Sequence, residues 1–162
     1  MLPKKPGANK ISVEENLNEL FALDAKVTQA SPYILPLETP EALLNFLTKD
    51  HKSDTYIWND SNGNLVGFFS IINPLNEALI EVLNICIDPD SQRQGYGKKI
   101  MLFAEKLARE AGKKKIKLVT NIKNTPAITF YKSIGYTIVQ EIKNYYSDGE
   151  TRYMLEKSLS EK

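Results

Sequence analysis

The sequence predicts an α/β protein in which a mixed β-sheet carries helices on its faces. Two β-type runs joined by a turn follow two helical patterns, and strand–helix–strand connections follow in the second half of the chain. A chain of 162 residues with 42% apolar residues can bury one sizeable core. We expect residues 1–10, rich in Lys, Pro and Gly, to form a flexible N-terminal tail and residues 11–160 to form one domain.

Two helices are expected near the start of the domain. Ser12 followed three residues later by Glu15 is typical of a capping box, and apolar residues then recur at helical spacing. Thr39 before Pro40 indicates a second helix start, because Pro is favoured in the first helical turn. An extra strand near Ile11 would precede both helices.

Three strands follow. Residues 54–60 and 65–72 are β-type runs on either side of the turn signal "SNGN" at 61–64, which indicates a hairpin. Residues 78–87, "ALIEVLNICI", form a long third run that ends at "DPD".

Helices and strands then alternate to the end of the chain. An apolar stripe runs from Gly97 to Gly112 and predicts a helix, and 115–120 predicts a strand. A helix from Asn124 to Gly135 and strands at 136–142 and 151–159 complete the order α-α-β-β-β-α-β-α-β-β.

Composition limits the partners and the compartment. A net charge of +1 gives no broad attraction for nucleic acid or for an anionic membrane, and no window approaches the ~18 apolar residues of a membrane span. Cys86 has no partner for an internal disulfide, which fits a cytoplasmic protein. We interpret His51, the single histidine, as a surface residue, and no metal site is expected.

The stretch "SQRQGYGKKI", residues 91–100, joins the third strand to a helix. Gly95 and Gly97 remove side chains at a point where a helix start exposes unpaired N–H groups, and Arg93 and Lys98 add positive charge. This combination is typical of a phosphate-binding turn. A helix start with a flexible turn and solvated charges would have the same sequence, and the junction alone leaves both interpretations open.

Two well-known phosphate loops do not fit this stretch. The nucleoside-triphosphate loop needs Ser or Thr after Gly97-Lys98, where this chain has Lys99. The dinucleotide fingerprint needs a third glycine where Ile100 stands, and it lies in the first β-α unit of its domain.

The remaining pattern resembles the GNAT superfamily of N-acetyltransferases over about residues 55–157. The first shared motif is Gln92-x-x-Gly95-x-Gly97, where the family binds the pyrophosphate of acetyl-CoA. The second is Asn124-x-x-Ala127-x-x-Phe130-Tyr131-x-x-x-Gly135-Tyr136. The resemblance implies a mostly antiparallel sheet of six or seven strands, with helices on both faces and a splay between strands 78–87 and 115–120.

The resemblance also implies acetyl-CoA as co-substrate, with its pantetheine arm against the end of strand 78–87. The cofactor-binding residues that it implies are Ile85, Cys86, Ile87, Gln92, Arg93, Gln94, Gly95, Tyr96, Gly97, Lys98, Asn124, Ala127, Phe130 and Tyr131. Cys86 as an acyl-carrying nucleophile is disfavoured, because no His neighbours it in sequence.

Glu81 is the candidate general base. Acetyl transfer needs an unprotonated amine, and a carboxylate inside an apolar strand has a raised pKa that suits proton abstraction. Glu81 lies fourteen residues before Gly95, the offset at which the histone-acetyltransferase branch of the superfamily carries its base. A solvated strand face or a pair with a lysine is the open alternative, and Glu77 is a weaker candidate.

Tyr131 matches the position of the family's general acid, which would protonate the departing CoA thiolate. The alternative is a core aromatic on an amphipathic helix, a role that we expect Phe130 to take. Tyr145 and Tyr146, in the segment "NYYSDGE", are candidate acceptor-binding residues, since related segments line the acceptor site of N-terminal acetyltransferases. A plain polar hairpin is the competing interpretation.

The sequence therefore predicts an enzyme, an acetyl-CoA-dependent N-acetyltransferase of the acyltransferase class. Its acceptor would be a small amine, a peptide N-terminus or a lysine, attacked directly in a ternary complex, and the assembly could include a homodimer. The alternatives are a non-catalytic acyl-CoA-binding sensor and a structural or interaction protein, which would leave both motifs unexplained.

Overall fold

The computed structural model describes residues 1–49 and 52–160, and His51 lies outside this part of the chain. The helices and strands, in chain order, are β1 (Gly7–Ile11), α1 (Leu17–Ala30), α2 (Pro40–Leu44), β2 (Asp54–Asn59), β3 (Leu65–Ile72), β4 (Leu79–Ile87), α3 (Tyr96–Glu110), β5 (Lys115–Asn121), α4 (Thr125–Ser133), β6 (Thr137–Lys143) and β7 (Thr151–Ser158). Within these described ranges, none of the helices combines the length and apolar character needed to cross a membrane.

The strands form a seven-stranded sheet in the order β1-β2-β3-β4-β5-β7-β6. The pairs β1–β2, β2–β3, β5–β7 and β6–β7 are antiparallel. The predicted class, a mixed and mostly antiparallel sheet with helices, is confirmed, and the extra strand near Ile11 is β1. The splay between β4 and β5 stays a prediction.

The chain forms two compact units. The first comprises Met1–Ile72 and Val82–Ala104, and the second comprises Asn73–Glu81 and Glu105–Lys162. The expectation of one domain over residues 11–160 stays a prediction.

The N-terminal segment is part of the sheet. Residues 7–11 pair with β2 from Gly7 opposite Asn59 to Ile11 opposite Thr55. The buried Asn59 also donates its Nδ2 group to the carbonyl oxygens of Pro3 (2.8 Å) and Lys5 (3.0 Å). Residues 7–10 therefore lie in a strand rather than in the expected flexible tail, because β2 offers them an edge for backbone pairing.

The core of the first unit lies between the β2–β3 hairpin and its helices. The Phe103 ring of α3 meets Tyr56, Phe69 and Trp58 edge-on, with ring centroids 5.4, 5.9 and 6.2 Å away. Such edge-to-face pairs are worth about 0.5–1.5 kcal/mol beyond the apolar area they bury. These contacts hold α3 against the β2–β3 hairpin.

The predicted helix starts hold, with one local difference. Thr39 Oγ1 accepts the Ala42 N–H at 3.1 Å, with Pro40 in the first turn of α2. Ser12 Oγ accepts the Glu15 N–H at 3.3 Å, but the capped turn is a 3₁₀ segment, Glu14–Asn16, and α1 begins after it. Tight 3₁₀ turns are common ahead of α-helices.

The second unit is built on the β5–β7–β6 strands. Ile116, Leu118 and Leu155 are buried in it, each worth about 1.5–3 kcal/mol by burial. Tyr136, directly before β6, is 1% exposed and lies next to the ion pair between Glu105 and Lys157.

Candidate functional site

The turn between β4 and α3 is anchored at its start. Asp88 Oδ1 accepts the Asp90 N–H at 2.9 Å, which caps a short 3₁₀ segment at Pro89–Ser91. Lys26 of α1 donates to the carboxylates of Asp88 and Asp90, both at 2.8 Å. The hydrogen bond from Lys26 holds the pKa of Asp88 below its ordinary value. The three side chains tie α1 to the beginning of the turn.

The glycine turn presents its backbone to solvent. Arg93 and Gly95 have left-handed φ angles of 63° and 85°, and both are exposed. The first backbone bond of α3 runs from the Lys99 N–H to the Gly95 carbonyl, 3.2 Å. The N–H groups of residues 96–98 therefore lack an acceptor one turn earlier, as at any helix start. A Cβ on Gly95 would meet no atom within 4 Å, so the space beside this residue of the turn is open.

The amide side chains of this motif face the turn itself. Gln92 Nε2 donates to the Ile87 carbonyl at 3.1 Å, and Gln94 Nε2 donates to the Asp90 carbonyl at 3.3 Å. Both glutamines thus stabilise the turn through hydrogen bonds to its backbone. The unpaired hydrogen-bond donors are the backbone N–H groups of residues 96–98. Lys98 is exposed beside it and adds positive charge.

The end of β4 lies close to β3. Ile85 and Ile87 are half-buried on either side of the buried Cys86. A side chain at Gly67 would overlap the Cys86 carbonyl, and the Asp88 N–H donates to the Val66 carbonyl at 2.8 Å.

Cys86 is a packing residue. Burial, with smaller contributions from Asp24 and Asp88, raises the pKa of its thiol, so the sulfur stays protonated and poorly nucleophilic. In the described ranges, neither Cys86 nor any other His, Cys, Asp or Glu belongs to a group of three or more placed to hold a metal ion.

Helix α4 carries the second predicted motif. Asn124 Oδ1 caps the helix by accepting the Ala127 N–H at 3.4 Å. The Tyr131 ring lies 5.2 Å from that of Phe130 and meets Tyr136 edge-on at 6.0 Å. Burial raises the pKa of Tyr131 to about 12, so its hydroxyl is a proton donor at neutral pH. We expected Phe130 to be the core aromatic, but it is only half-buried. Tyr136 is the aromatic residue that is buried in the core.

The second unit brings Glu81 together with the tyrosine pair. Glu81 is half-buried in β4, and the rings of Tyr145 and Tyr146 lie 4.7 Å apart at 56°. Burial and then the nearby Glu81 carboxylate raise the pKa of Tyr145. Burial, Tyr145 and Glu81 raise the pKa of Tyr146. The candidate base and the candidate acceptor-binding residues therefore form one cluster.

Sequence reasoning missed Arg152, which lies under this cluster. Its side chain is 4% exposed, forms two hydrogen bonds to Asp148 and stacks its guanidinium 4.8 Å from the Tyr146 ring centroid. Arginine in a polar hairpin is ordinarily exposed, so nothing in its immediate sequence indicates burial. The only available signal was Asp148, four residues earlier across the predicted turn.

The chain matches the family model described as the acetyltransferase (GNAT) family over residues 17–136. Because this match covers well over half of the chain, the chain belongs to that family. The two motifs that resemble this family, residues 92–97 and residues 124–136, both lie within the matched residues.

Curated relatives and solved structures agree with this membership. An N-alpha-acetyltransferase of Sulfurisphaera tokodaii is 29% identical over 75 residues, 46% of this chain and 45% of that protein. The ribosomal protein bS18-alanine N-acetyltransferase of Escherichia coli is 31% identical over 91 residues, 56% of this chain and 60% of that protein. The chain thus spans about half the length of the curated relatives it matches. A crystal structure of the ribosomal-protein-S18-alanine N-acetyltransferase from Escherichia coli shares the fold, with a TM-score of 0.75 and 20% identity over 96% of this chain and 94% of that chain.

Proposed function

We propose that this chain is an acetyl-CoA-dependent N-acetyltransferase, in which a primary amine attacks the acetyl group directly within a ternary complex. The observation that carries the proposal is the open turn at Gly95, whose left-handed backbone leads into the N–H groups of a fifteen-residue helix. Unpaired N–H groups and the positive end of a helix dipole suit the pyrophosphate of CoA. Family membership supports the same assignment.

Residues 92–98 would bind the pyrophosphate. The N–H groups of residues 96–98 are the donors, and the exposed Arg93 and Lys98 supply opposite charge to the phosphates. Gln92 and Gln94 contribute by holding the shape of the turn through their bonds to backbone carbonyls. Tyr96 is half-buried at the start of the helix, with the Lys99 ammonium 5.3 Å from its ring centroid.

The rest of the cofactor would lie against two further segments. The backbone of residues 85–87, at the end of β4, is the partner we propose for the pantetheine arm. Asn124 caps α4 through Oδ1, which leaves its Nδ2 group to donate to the arm. Ala127 and Phe130, both half-buried on α4, are the proposed apolar contacts.

Glu81 and Tyr131 would move the protons. Glu81 would take the proton of the attacking amine, directly or through a water, since it is a half-buried carboxylate whose charge reaches both tyrosines of the proposed acceptor site. Tyr131 would donate to the departing thiolate, because its raised pKa keeps the hydroxyl protonated. A thiol has an ordinary pKa near ~8.5, so this second demand is modest.

The acceptor we propose is the α-amine of a peptide or protein. An α-amine, with a pKa near ~7.7–8.0, needs roughly 1 kcal/mol to be neutral at pH 7, whereas a lysine needs roughly 5 kcal/mol. The half-buried Glu81 carboxylate is better suited to deprotonating an α-amine than a lysine. The names of the Escherichia coli and Sulfurisphaera tokodaii relatives specify alanine and N-alpha acetylation for those proteins, which supports the same class of acceptor.

The test is acetyl-CoA binding by calorimetry followed by thiol release with three acceptors. These are a peptide with a free N-terminal alanine, the same peptide blocked at its N-terminus and carrying an internal lysine, and a small polyamine. We expect binding, and turnover with the free N-terminus. Turnover with only the lysine peptide or only the polyamine would contradict the α-amine assignment and would identify a lysine or a small amine as the acceptor. Failure to bind acetyl-CoA would contradict the whole proposal.

A further inference from the structure

The hairpin between β6 and β7 is closed by its own hydrogen bonds. The Asn144 N–H donates to the Glu150 carbonyl at 3.0 Å, and Asn144 Oδ1 accepts the Gly149 N–H at 2.7 Å. Asn144, Ser147 and Gly149 have left-handed φ angles of 54°, 59° and 78°. Such angles are uncommon for Asn and Ser, and the two hydrogen bonds that close the turn hold its backbone in this conformation.

Arg152 carries a full positive charge below this turn and is almost completely buried. Its Nη1 and Nη2 groups donate to Asp148 Oδ1 and Oδ2 at 2.9 and 2.7 Å, a bidentate pair. The hydrogen bonds from Arg152 hold the pKa of Asp148 at about 2, so the pair stays ionised at neutral pH. Burying a guanidinium is costly unless it is paired. Such a residue is unusual in a strand that needs only apolar packing.

The guanidinium contacts one of the candidate acceptor-binding side chains. Its central carbon lies 4.8 Å from the Tyr146 ring centroid, in the range of a cation–π contact. The turn's hydrogen bonds fix the backbone, whereas this contact restrains the ring. Tyr146 in turn lies against Tyr145, and the Glu81 carboxylate acts on both rings.

We propose that Arg152 is a positioning residue for the acceptor. By binding Asp148 and stacking on Tyr146, it holds the tyrosine pair beside Glu81 in the arrangement that receives the acceptor amine. This inference rests on the proposed acetyltransferase function. It concerns acceptor binding, since the side chains that Arg152 contacts, Asp148 and Tyr146, are not among the residues proposed to bind acetyl-CoA.

The experiment compares Arg152→Met and Arg152→Lys with wild type. Its matched control is Lys123→Met, which removes an exposed 3.6 Å ion pair to Glu150 of the same hairpin. We expect Arg152→Met to raise the acceptor KM about tenfold or more, because hydrogen bonds to charged groups contribute about 1.5–3 kcal/mol. Acetyl-CoA affinity should stay within about twofold of wild type. Arg152→Lys should raise the acceptor KM less, since lysine keeps a cation near the Tyr146 ring but loses the bidentate hydrogen bonds to Asp148. Lys123→Met should match wild type.

Three outcomes would overturn the inference. These are an unchanged acceptor KM in Arg152→Met, equal losses of acetyl-CoA and acceptor binding, and a change in Lys123→Met as large as that in Arg152→Met. If Arg152→Met does not fold, Arg152→Lys and Asp148→Asn decide by the same split between acceptor KM and acetyl-CoA affinity. Failure of the wild type to bind acetyl-CoA contradicts the proposed function itself. Normal wild-type turnover together with an unchanged acceptor KM in the Arg152 variants contradicts only this inference.

Discussion

The glycine turn at residues 88–97 and the hairpin at residues 144–152 are built in opposite ways. The turn exposes residues 92–95 and offers backbone N–H groups, with an open space where the side chain of residue 95 would be. The hairpin offers side chains, and its central contact is a buried Arg152 under the ring of Tyr146. A site made of backbone depends on local conformation, whereas a site made of side chains depends on partners supplied by other strands. The two regions should therefore fail in different ways when they are mutated.

The largest effect is expected at the side-chain cluster. Glu81→Gln removes the proton acceptor beside the hairpin tyrosines, and general-base catalysis typically contributes 10²–10⁴-fold. We expect kcat to fall by roughly 10²–10⁴-fold with acetyl-CoA affinity within about twofold of wild type. Steady-state kinetics and calorimetry on the same preparations measure both quantities.

Glu77→Gln is the matched control for that variant. Glu77 is an exposed carboxylate four residues earlier in the chain, so its loss should leave kcat unchanged. A normal kcat in Glu81→Gln, or a loss of equal size in Glu77→Gln, would exclude Glu81 as the base. Restored activity at higher pH, where more of the acceptor amine is already neutral, would support the assignment.

The second largest effect is expected at the glycine turn, and it should appear in binding. Gly95→Asp places a negative charge in front of the N–H donors, and like-charge contacts cost several kcal/mol. We expect acetyl-CoA affinity to fall roughly hundredfold or more, as measured by calorimetry. Aspartate tolerates left-handed φ angles better than most residues, so the fold should survive.

Gly112→Asp controls for backbone strain. Gly112 also has a left-handed φ, 71°, and a Cβ there would meet no atom within 4 Å. The two variants therefore introduce the same side chain into similar backbone conformations and open space. Equal affinity losses in both would show that strain, rather than charge in a phosphate site, explains the result.

This difference also explains how far the sequence could be interpreted. The turn is encoded by residues adjacent in sequence, so Gly95, Gly97 and the helix that follows them could be predicted together. Asn124 as a helix cap follows from the same local chemistry, and the structure places its Oδ1 on the Ala127 N–H. Local conformation and hydrogen bonding are properties that a sequence pattern states directly.

The hairpin shows what the sequence could not state. Tyr145 and Tyr146 were recognisable as candidates, but the proximity of Glu81 depends on tertiary structure, because Glu81 stands more than sixty residues earlier in the chain. The burial of Arg152 likewise depends on Asp148 and Tyr146 closing over it. The N-terminal segment was missed for the same kind of reason, since Gly7–Ile11 is ordered by pairing with the distant β2.

Tyr131→Phe tests a residue outside both regions and should have an intermediate effect. We expect kcat to fall by about tenfold, at most, because the thiolate is a good leaving group and needs little assistance. The pKa of Tyr131 is raised to about 12, so its hydroxyl stays protonated throughout the usual assay range. The pH profiles of wild type and Tyr131→Phe between about pH 6 and pH 9 should therefore have the same shape. A basic limb present only in wild type would contradict this protonation state.

The smallest effect is expected from Lys26→Met, which frees the start of the glycine turn. Lys26 binds Asp88 and Asp90, but its side chain is 46% exposed, and ion pairs of exposed side chains contribute little because water and salt screen them. We expect acetyl-CoA affinity to fall by at most about fivefold, with the difference shrinking as salt is added. Lys10→Met, which removes an exposed 2.9 Å pair to Asp54 on the β1–β2 strands, is the matched control.

The outcome of that variant decides what holds the turn in shape. An unchanged affinity would mean that the internal braces from Gln92 to the Ile87 carbonyl and from Gln94 to the Asp90 carbonyl suffice, so the turn is locally determined. A loss well beyond fivefold would mean that the turn depends on α1, as the hairpin depends on Arg152. The contrast between a local and a tertiary site would then be one of degree, and α1 would join the residues that set acetyl-CoA affinity.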